Sequence, residues 1–546
     1  MKKYAFSIAS IFLAASMMMA GCTGSSVQQG QAETTSDQGT EQAAKGGKQV
    51  LRLNFHTEPP TADPGIADDN TSSVVLRATF DGLTRLDPDG KQSPSVAETI
   101  DVSPDLKTYT FHLRDSKWSN GDPVTAHDFE FAWKRVLNPE TASTMAYEMY
   151  VIKGAEAYNK GNGKAEDVGI KATDDKTLVV EMENPSPYFL ELTSLYTFYP
   201  LNKKAVEANK NWATEAATHI GNGAFKMDVW QHKSKMTLSK NGEYWDKDKV
   251  QIDRIEFSMV EDESTELSMF ENDDLDWVGS PMSQLPVDAI GPLKESGRLQ
   301  IQPIAATYML KFNTNQAPFQ NAKIRKAFAY AINRQTIVDN VLQANQEPAT
   351  GIVPGVMPLN RDGYFKDNDA ENAKKLLDEG MKELGITELP KITFSLNSSQ
   401  TNKTIAEAMQ DQWKKVLGVD VKLELQEWKV YLDTMRYGKY QLGRMTWSAT
   451  YKDPVTFLNI FKDKTGENNE TGWENPRFKE LIEASGKEAD NDKRLGMLAE
   501  AEQILMDEMP IAPVYFNAHS WMTNPKVKGA LPDGLGNIDF KWATIE

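Results

Sequence analysis

A single cysteine, Cys22, occurs in this chain of 546 residues. No internal disulfide can form, so apolar burial and hydrogen bonding must hold the fold by themselves. A structural zinc site built on several cysteines is excluded for the same reason. From about residue 49 to Glu546 the chain reads as globular. The whole chain is 40 % hydrophobic and 25 % charged, which argues against disorder over most of its length. That length exceeds what one core sustains, so two or three domains are expected.

The segment ahead of Cys22 is of another kind. Lys2 and Lys3 precede an apolar run from Tyr4 to Ala20, and small residues follow. This is the anatomy of a secretory signal. The run Leu13-Ala14-Ala15-Ser16-Met17-Met18-Met19-Ala20-Gly21-Cys22 resembles a bacterial lipoprotein lipobox, departing from it at Met19, where leucine is usual. The resemblance implies removal of residues 1–21, lipid on the Cys22 sulfur, and a place outside the cytoplasm at a membrane. The competing reading is an uncleaved membrane span, for which the run is at the short limit. Residues 22–48 are rich in Gly, Ser, Gln and Thr and cannot bury enough surface to order themselves. As a flexible linker they reach about 28 Å. No later stretch is apolar enough to span a bilayer.

The formal net charge is −18. Nucleic-acid binders need basic faces that release counterions, so that class of partner is excluded. The motifs H-E-x-x-H, G-x-S-x-G, S-x-x-K and the phosphate loop are absent from the sequence. Six histidines are scattered without metal-binding spacing, and the acidic run 271–276 lacks the glycine and closing glutamate of a calcium loop. No catalytic residue, metal or cofactor is therefore expected.

Periodicity predicts strands at 50–55, 107–113, 177–181, 236–238 and 252–260, and an amphipathic helix over 126–137. After about residue 304 the texture changes. Helices are expected at 324–343, 372–384 and 404–417, with strands at 392–396 and 419–425 between them. That alternation predicts an α/β lobe with a mainly parallel sheet. The chain ends on a strand-like run at 510–521.

Several segments then carry a resemblance. They include Thr108-Tyr109-Thr110-Phe111-His112-Leu113-Arg114-Asp115, Trp118-Ser119-Asn120-Gly121-Asp122-Pro123, Asn222-Gly223-Ala224-Phe225-Lys226 and Ile324-Arg325-Lys326-Ala327-Phe328-Ala329-Tyr330. In order along 49–546, they resemble the extracellular peptide- and nickel-binding proteins of ABC importers, most of all Gram-positive oligopeptide-binding lipoproteins. The resemblance implies an α/β fold with mixed sheets, a two-lobed clam of the type II periplasmic-binding-protein kind with an additional domain. Domain I would comprise 49–70, 195–304 and 516–546, domain II 71–194, and domain III 305–515. The implied function is capture of oligopeptides in the interlobe cleft by hinge closure and delivery to permease and ATPase subunits, by a monomer on the outer face of the membrane. A peptide- or pheromone-sensing receptor is the alternative, and an exported hydrolase a distant third.

Carried over residue by residue, the resemblance puts Glu58, Phe131, Tyr308, Trp428, Arg444, Trp447, Thr450, Asp453 and Tyr515 at the cleft. One position departs from the family. The aspartate that pairs with a peptide's α-amino group falls on Thr450 here. A hydroxyl can hydrogen-bond an ammonium but cannot neutralise it, and a charge-assisted bond is about twice as strong. Either Asp453 or Glu58 supplies the counter-charge, or the ligand lacks a free amine at that point, as in blocked or modified peptides.

Overall fold

The computed structural model describes residues 48–546 except 89–90, 360–361, 467 and 489. Cys22, the expected signal segment and almost all of the expected linker lie outside the described residues. Residues 48–546 make one folded unit built on three principal sheets.

The first sheet has four strands in the order Val50–Phe55, Arg254–Met259, Lys235–Lys240, Phe225–Gln231. Strict alternation in Val50–Phe55 turns Leu51, Leu53 and Phe55 inward. Phe55 stacks on Phe257 at 4.1 Å. The second sheet is antiparallel, in the order Ala97–Val102, Thr108–Leu113, Thr177–Glu181, Ile170–Asp174. The helix Ala126–Leu137 lies on it, buries Phe129 and Trp133, and is fixed by Trp133 Nε1 donating to the Phe198 carbonyl at 2.8 Å.

The third sheet has seven strands. Its path is Trp277–Gly279, Ile511–Thr523, Gln300–Phe312, Leu442–Ser448, Ile392–Asn397, Val421–Gln426, with Glu347–Pro348 paired beside Ile511–Thr523. Only Ile392–Asn397 makes parallel ladders, with its two neighbours. The expectation of a mainly parallel sheet is thus corrected to a mixed one. The reason is connectivity. Parallel pairing needs a crossover, and only the helices Gln400–Leu417 and Trp428–Arg436 supply one here. The two 13-residue strands Gln300–Phe312 and Ile511–Thr523 pair antiparallel along most of their length. Their register shifts between Pro303 and Thr307 and again between Tyr308 and Met309. The expected domain limits at 304/305 and 515/516 fall inside these two strands.

The long helix expected over 324–343 is broken. Ala322–Tyr330 ends, Arg334–Ile337 restarts with Asn333 as its cap, and a wide turn follows at Val338–Leu342. Arg334 lies just past the break. It is wholly buried and donates to the carbonyls of Ala329 and Pro513 and to Asp367, which satisfies a charge that would otherwise be stranded.

Three large apolar clusters fill the molecule. One lies among Leu51, Phe55, Trp277 and Phe540, and another among Phe312, Phe328, Phe394 and Trp413. The largest is shared. It joins Phe129, Trp133 and Phe189 of 71–194 to Tyr451, Phe457 and Leu505 of 305–515.

Candidate ligand-binding seam

The shared cluster runs along a seam where 71–194 meets 305–515. The strand Leu442–Ser448 delivers the chain to it, and the loop that follows supplies most of the groups. Trp447 is half-buried, with its indole N–H donating to the Thr456 carbonyl at 2.9 Å. Tyr451 stacks on Tyr188 from the other side, 5.3 Å between centroids and 10° from parallel. The Lys452 backbone N–H donates to Glu191 at 3.0 Å. Thr450 Oγ1 donates to Glu148 Oε1 at 2.5 Å. Both bonds join residues more than 250 positions apart in sequence.

Asp453 is buried in the same loop. It accepts two parallel hydrogen bonds from Arg494, at 2.7 and 2.8 Å, and one from the Val455 N–H. The Arg494 guanidinium also lies 5.3 Å over the Tyr188 ring. Burial lowers the pKa of Arg494, but its bond to Asp453 outweighs this and holds the cation. Burial pushes the Tyr188 hydroxyl up to about 12. Burial also raises Glu191, which the Lys452 N–H only partly offsets. Glu148 is 5 % exposed, and burial raises its carboxyl to about 7 against the opposing bonds from Thr450 and Tyr147.

A second group sits on the central sheet. Tyr308 and Tyr515 are register partners on the two long strands and stack at 4.8 Å. The Arg444 guanidinium lies 5.5 Å from the Tyr308 ring, and its Nε donates to Asn397 Oδ1 at 2.9 Å. Burial pushes the Tyr308 hydroxyl up to about 12, and that hydroxyl has no hydrogen-bond partner among the described residues. Thr307 pairs with Trp447 in the ladder, so this group and the seam share two adjacent strands.

Of the residues singled out in the sequence, the structure gathers Trp447, Thr450 and Asp453 at the seam and Tyr308, Arg444 and Tyr515 on the sheet beside it. Glu58 stands apart. It accepts from Trp230 Nε1 at 2.8 Å, His232 Nδ1 at 2.5 Å and the Lys233 N–H at 3.2 Å, all in the first sheet's hairpin. Burial raises the Glu58 carboxyl, and those three donors more than reverse it. Phe131 lines a groove with His127, Glu130, Lys134, Tyr158 and Lys203, to which 305–515 contributes no residue. Trp428 opens the helix Trp428–Arg436, and its side chain lies outside what the structure describes. The reading that Asp453 or Glu58 provides a free counter-charge is corrected, because Arg494 occupies one carboxylate and His232 with Trp230 the other. Sequence reasoning missed Glu148, Tyr188, Glu191 and Arg494. The one available signal for Glu148 was its apolar setting, Met145-Ala146-Tyr147-Glu148-Met149-Tyr150.

The sequence model of the bacterial extracellular solute-binding proteins, family 5, matches residues 91–469. The chain belongs to that family. It is 48 % identical to the oligopeptide-binding protein OppA of Bacillus subtilis over 91 % of this chain and 92 % of that one. The fold superposes on Haemophilus influenzae OppA in complex with RPPGFSPFR with a TM-score of 0.82 at 32 % identity, covering 91 % of this chain and 99 % of that one. Two structures of the Escherichia coli murein tripeptide binding protein MppA, both 30 % identical and both covering 92 % of this chain, differ in their fit. One, covering 99 % of its own chain, gives a TM-score of 0.82, and the unliganded open form, covering 98 %, gives 0.71. The neighbours are type II periplasmic binding proteins, and the family is one of solute-binding proteins rather than enzymes. Among the described residues no helix is long and apolar enough to cross a membrane.

Proposed function

We propose that this chain is the receptor of a peptide importer. It captures oligopeptides in the cleft between its two lobes, beside the seam where 71–194 meets 305–515, and hands them to a permease whose separate ATPase subunits drive uptake. The observation that carries the reading is the seam itself. Side chains of two distant regions meet there across few bonds, in a fold that matches a peptide-bound relative at a TM-score of 0.82. The poorer fit to an open, unliganded relative supports a closed arrangement.

The mechanism follows from the chemistry of an extended peptide. Backbone donors and acceptors are the same in every sequence, so pairing with them gives affinity without selection. Wet side-chain pockets tolerate variety because a bridging water costs only about 0–2 kcal/mol of entropy. A ligand that touches both regions stabilises the closed form by the difference in its affinity for the two states. In this reading 49–70, 195–304 and 516–546 form one lobe, 305–515 the other, and 71–194 the additional domain. The register shifts at 303–309 bend the long strands near the proposed lobe boundary, which supports a hinge there. Lipid on Cys22 would keep the monomer near its permease and raise its effective concentration there.

Mass spectrometry of material released from the purified protein under denaturing conditions tests the reading. Intact short peptides are the expected result. An absence of peptides, or fragments that accumulate with time, would overturn it.

A further inference from the structure

Three glutamates in the described structure are buried with carboxyls raised to about 7, and their settings differ. Glu502 accepts from the backbone N–H groups of Ile352 and Val353 and from the Tyr364 hydroxyl, all within 305–515. Glu266 accepts from Ser283 seventeen residues away. Both are internal fastenings of one region. Glu148 alone of the three reaches across the seam, to Thr450, 302 positions distant.

Glu148 sits in the single turn Ala146–Met149, and its carboxyl meets only hydroxyls. Thr450 donates from one side and Tyr147 bonds it from its own segment. The stacked pair Tyr188 and Tyr451 lies beside Thr450, which bonds that carboxyl. Among the described residues no lysine or arginine pairs with it, whereas Asp453 in the facing loop has Arg494. A dry carboxylate without a cation is costly unless a cation arrives. An ammonium fits that need. It is compact, brings three donors, and meets one carboxylate and two hydroxyl oxygens at this point. Thr450 then reads differently from its reading in the sequence. It is the hydroxyl partner of a carboxylate supplied from the other side of the seam.

We propose that Glu148 carries the counter-charge for the ligand's ammonium, with Thr450 completing the site from across the seam. The inference rests on the peptide-receptor reading and sharpens it. The selected ligands bear a free amine, and that amine is fully held only when the two regions meet.

The test uses a mixed-sequence pentapeptide pool and its N-acetylated copy, captured in competition and counted by mass spectrometry. Wild type is expected to enrich the free-amine pool tenfold or more. Glu148→Gln brings the ratio to within about twofold, and adding Thr450→Asp to that variant restores it, which a purely structural role would not allow. A ratio unchanged in Glu148→Gln, a double variant that does not recover, or a wild type that captures both pools alike would overturn the assignment while leaving the receptor reading intact. A wild type that captures neither pool would overturn the receptor reading itself.

Discussion

The region 71–194 has two buried polar borders, and they are built on opposite principles. Toward 49–70, 195–304 and 516–546 the arginines Arg85 and Arg135 are paired with carboxylates. Arg85 donates to Asp539 at 2.8 and 3.0 Å and to Asp81 at 3.1 Å. Asp81 also accepts from the Tyr244 hydroxyl and the Trp245 indole, at 2.8 and 3.0 Å. Arg135 grips Asp63 with two bonds. The backbones are in contact as well, since a Cβ at Gly221 would lie 2.0 Å from the Thr79 carbonyl oxygen. Toward 305–515 the border is apolar, with a shared cluster and a stacked tyrosine pair joined by a few hydrogen bonds, and among the described residues its most buried carboxyl, Glu148, has no cation. Separating the first border would strand charges in a dry interior, at several kcal/mol per ion. Separating the second would wet Glu148, which burial opposes. In the proposed mechanism the first border stays closed and the second parts. The proposed hinge closure needs this asymmetry, and in it 71–194 would move with 49–70, 195–304 and 516–546.

The largest expected effect is at the permanent border. Arg85→Met leaves Asp81 and Asp539 buried without their cation and should lower stability by about 3–5 kcal/mol in chemical denaturation. A loss below about 1 kcal/mol would break the comparison.

The next effect is a pH dependence at the seam. The folded-state carboxyl of Glu148 is raised to about 7 by burial, above its ordinary value of 4.5. Folded protein then binds more protons than unfolded protein between those values, so the contribution of Glu148 falls as pH rises from about 4.5 to about 7 and is flat beyond. Glu148→Gln removes that slope. The variant should gain on wild type by about 2 kcal/mol between pH 5 and pH 8, read from denaturation at each pH. His219 and His519, which burial lowers to about 4, slope the other way in both proteins, so they cancel in the difference. Equal slopes in the two proteins would mean that Glu148 is solvated.

The smallest effect is at Glu58. Its site is a partly exposed hairpin, so Glu58→Gln should cost under about 1 kcal/mol and leave the free-to-acetylated capture ratio unchanged. A collapse of that ratio would return Glu58 to the ligand site.

Elements with strong local periodicity were legible in the sequence. Val50–Phe55, Thr108–Leu113 and the helix Ala126–Leu137 fall where alternation and amphipathicity put them. The break at 331–333 was not, because Asn333-Arg334 is compatible with a helix and the buried bonds of Arg334 there, one of them to Pro513 179 residues on, are tertiary. The mixed sheet was hidden likewise, since local pattern does not reveal strand direction. Within the site, Trp447, Thr450 and Asp453 were legible only through the family resemblance. That alignment places side chains but says nothing of their partners. Arg494 neutralises Asp453 from 41 positions away and Thr450 buries Glu148 from 302. Both facts are tertiary, and both bear on ligand charge.

The most direct test of the asymmetry is hydrogen–deuterium exchange of the unliganded protein, followed by addition of the pentapeptide pool. The account predicts that segments 146–150 and 449–455 open intermittently without peptide and exchange more slowly together when it is added, while 77–85 and 539–543 are protected throughout. Protection of 146–150 that is already complete without peptide, or ligand-dependent change at 77–85 instead, would contradict it.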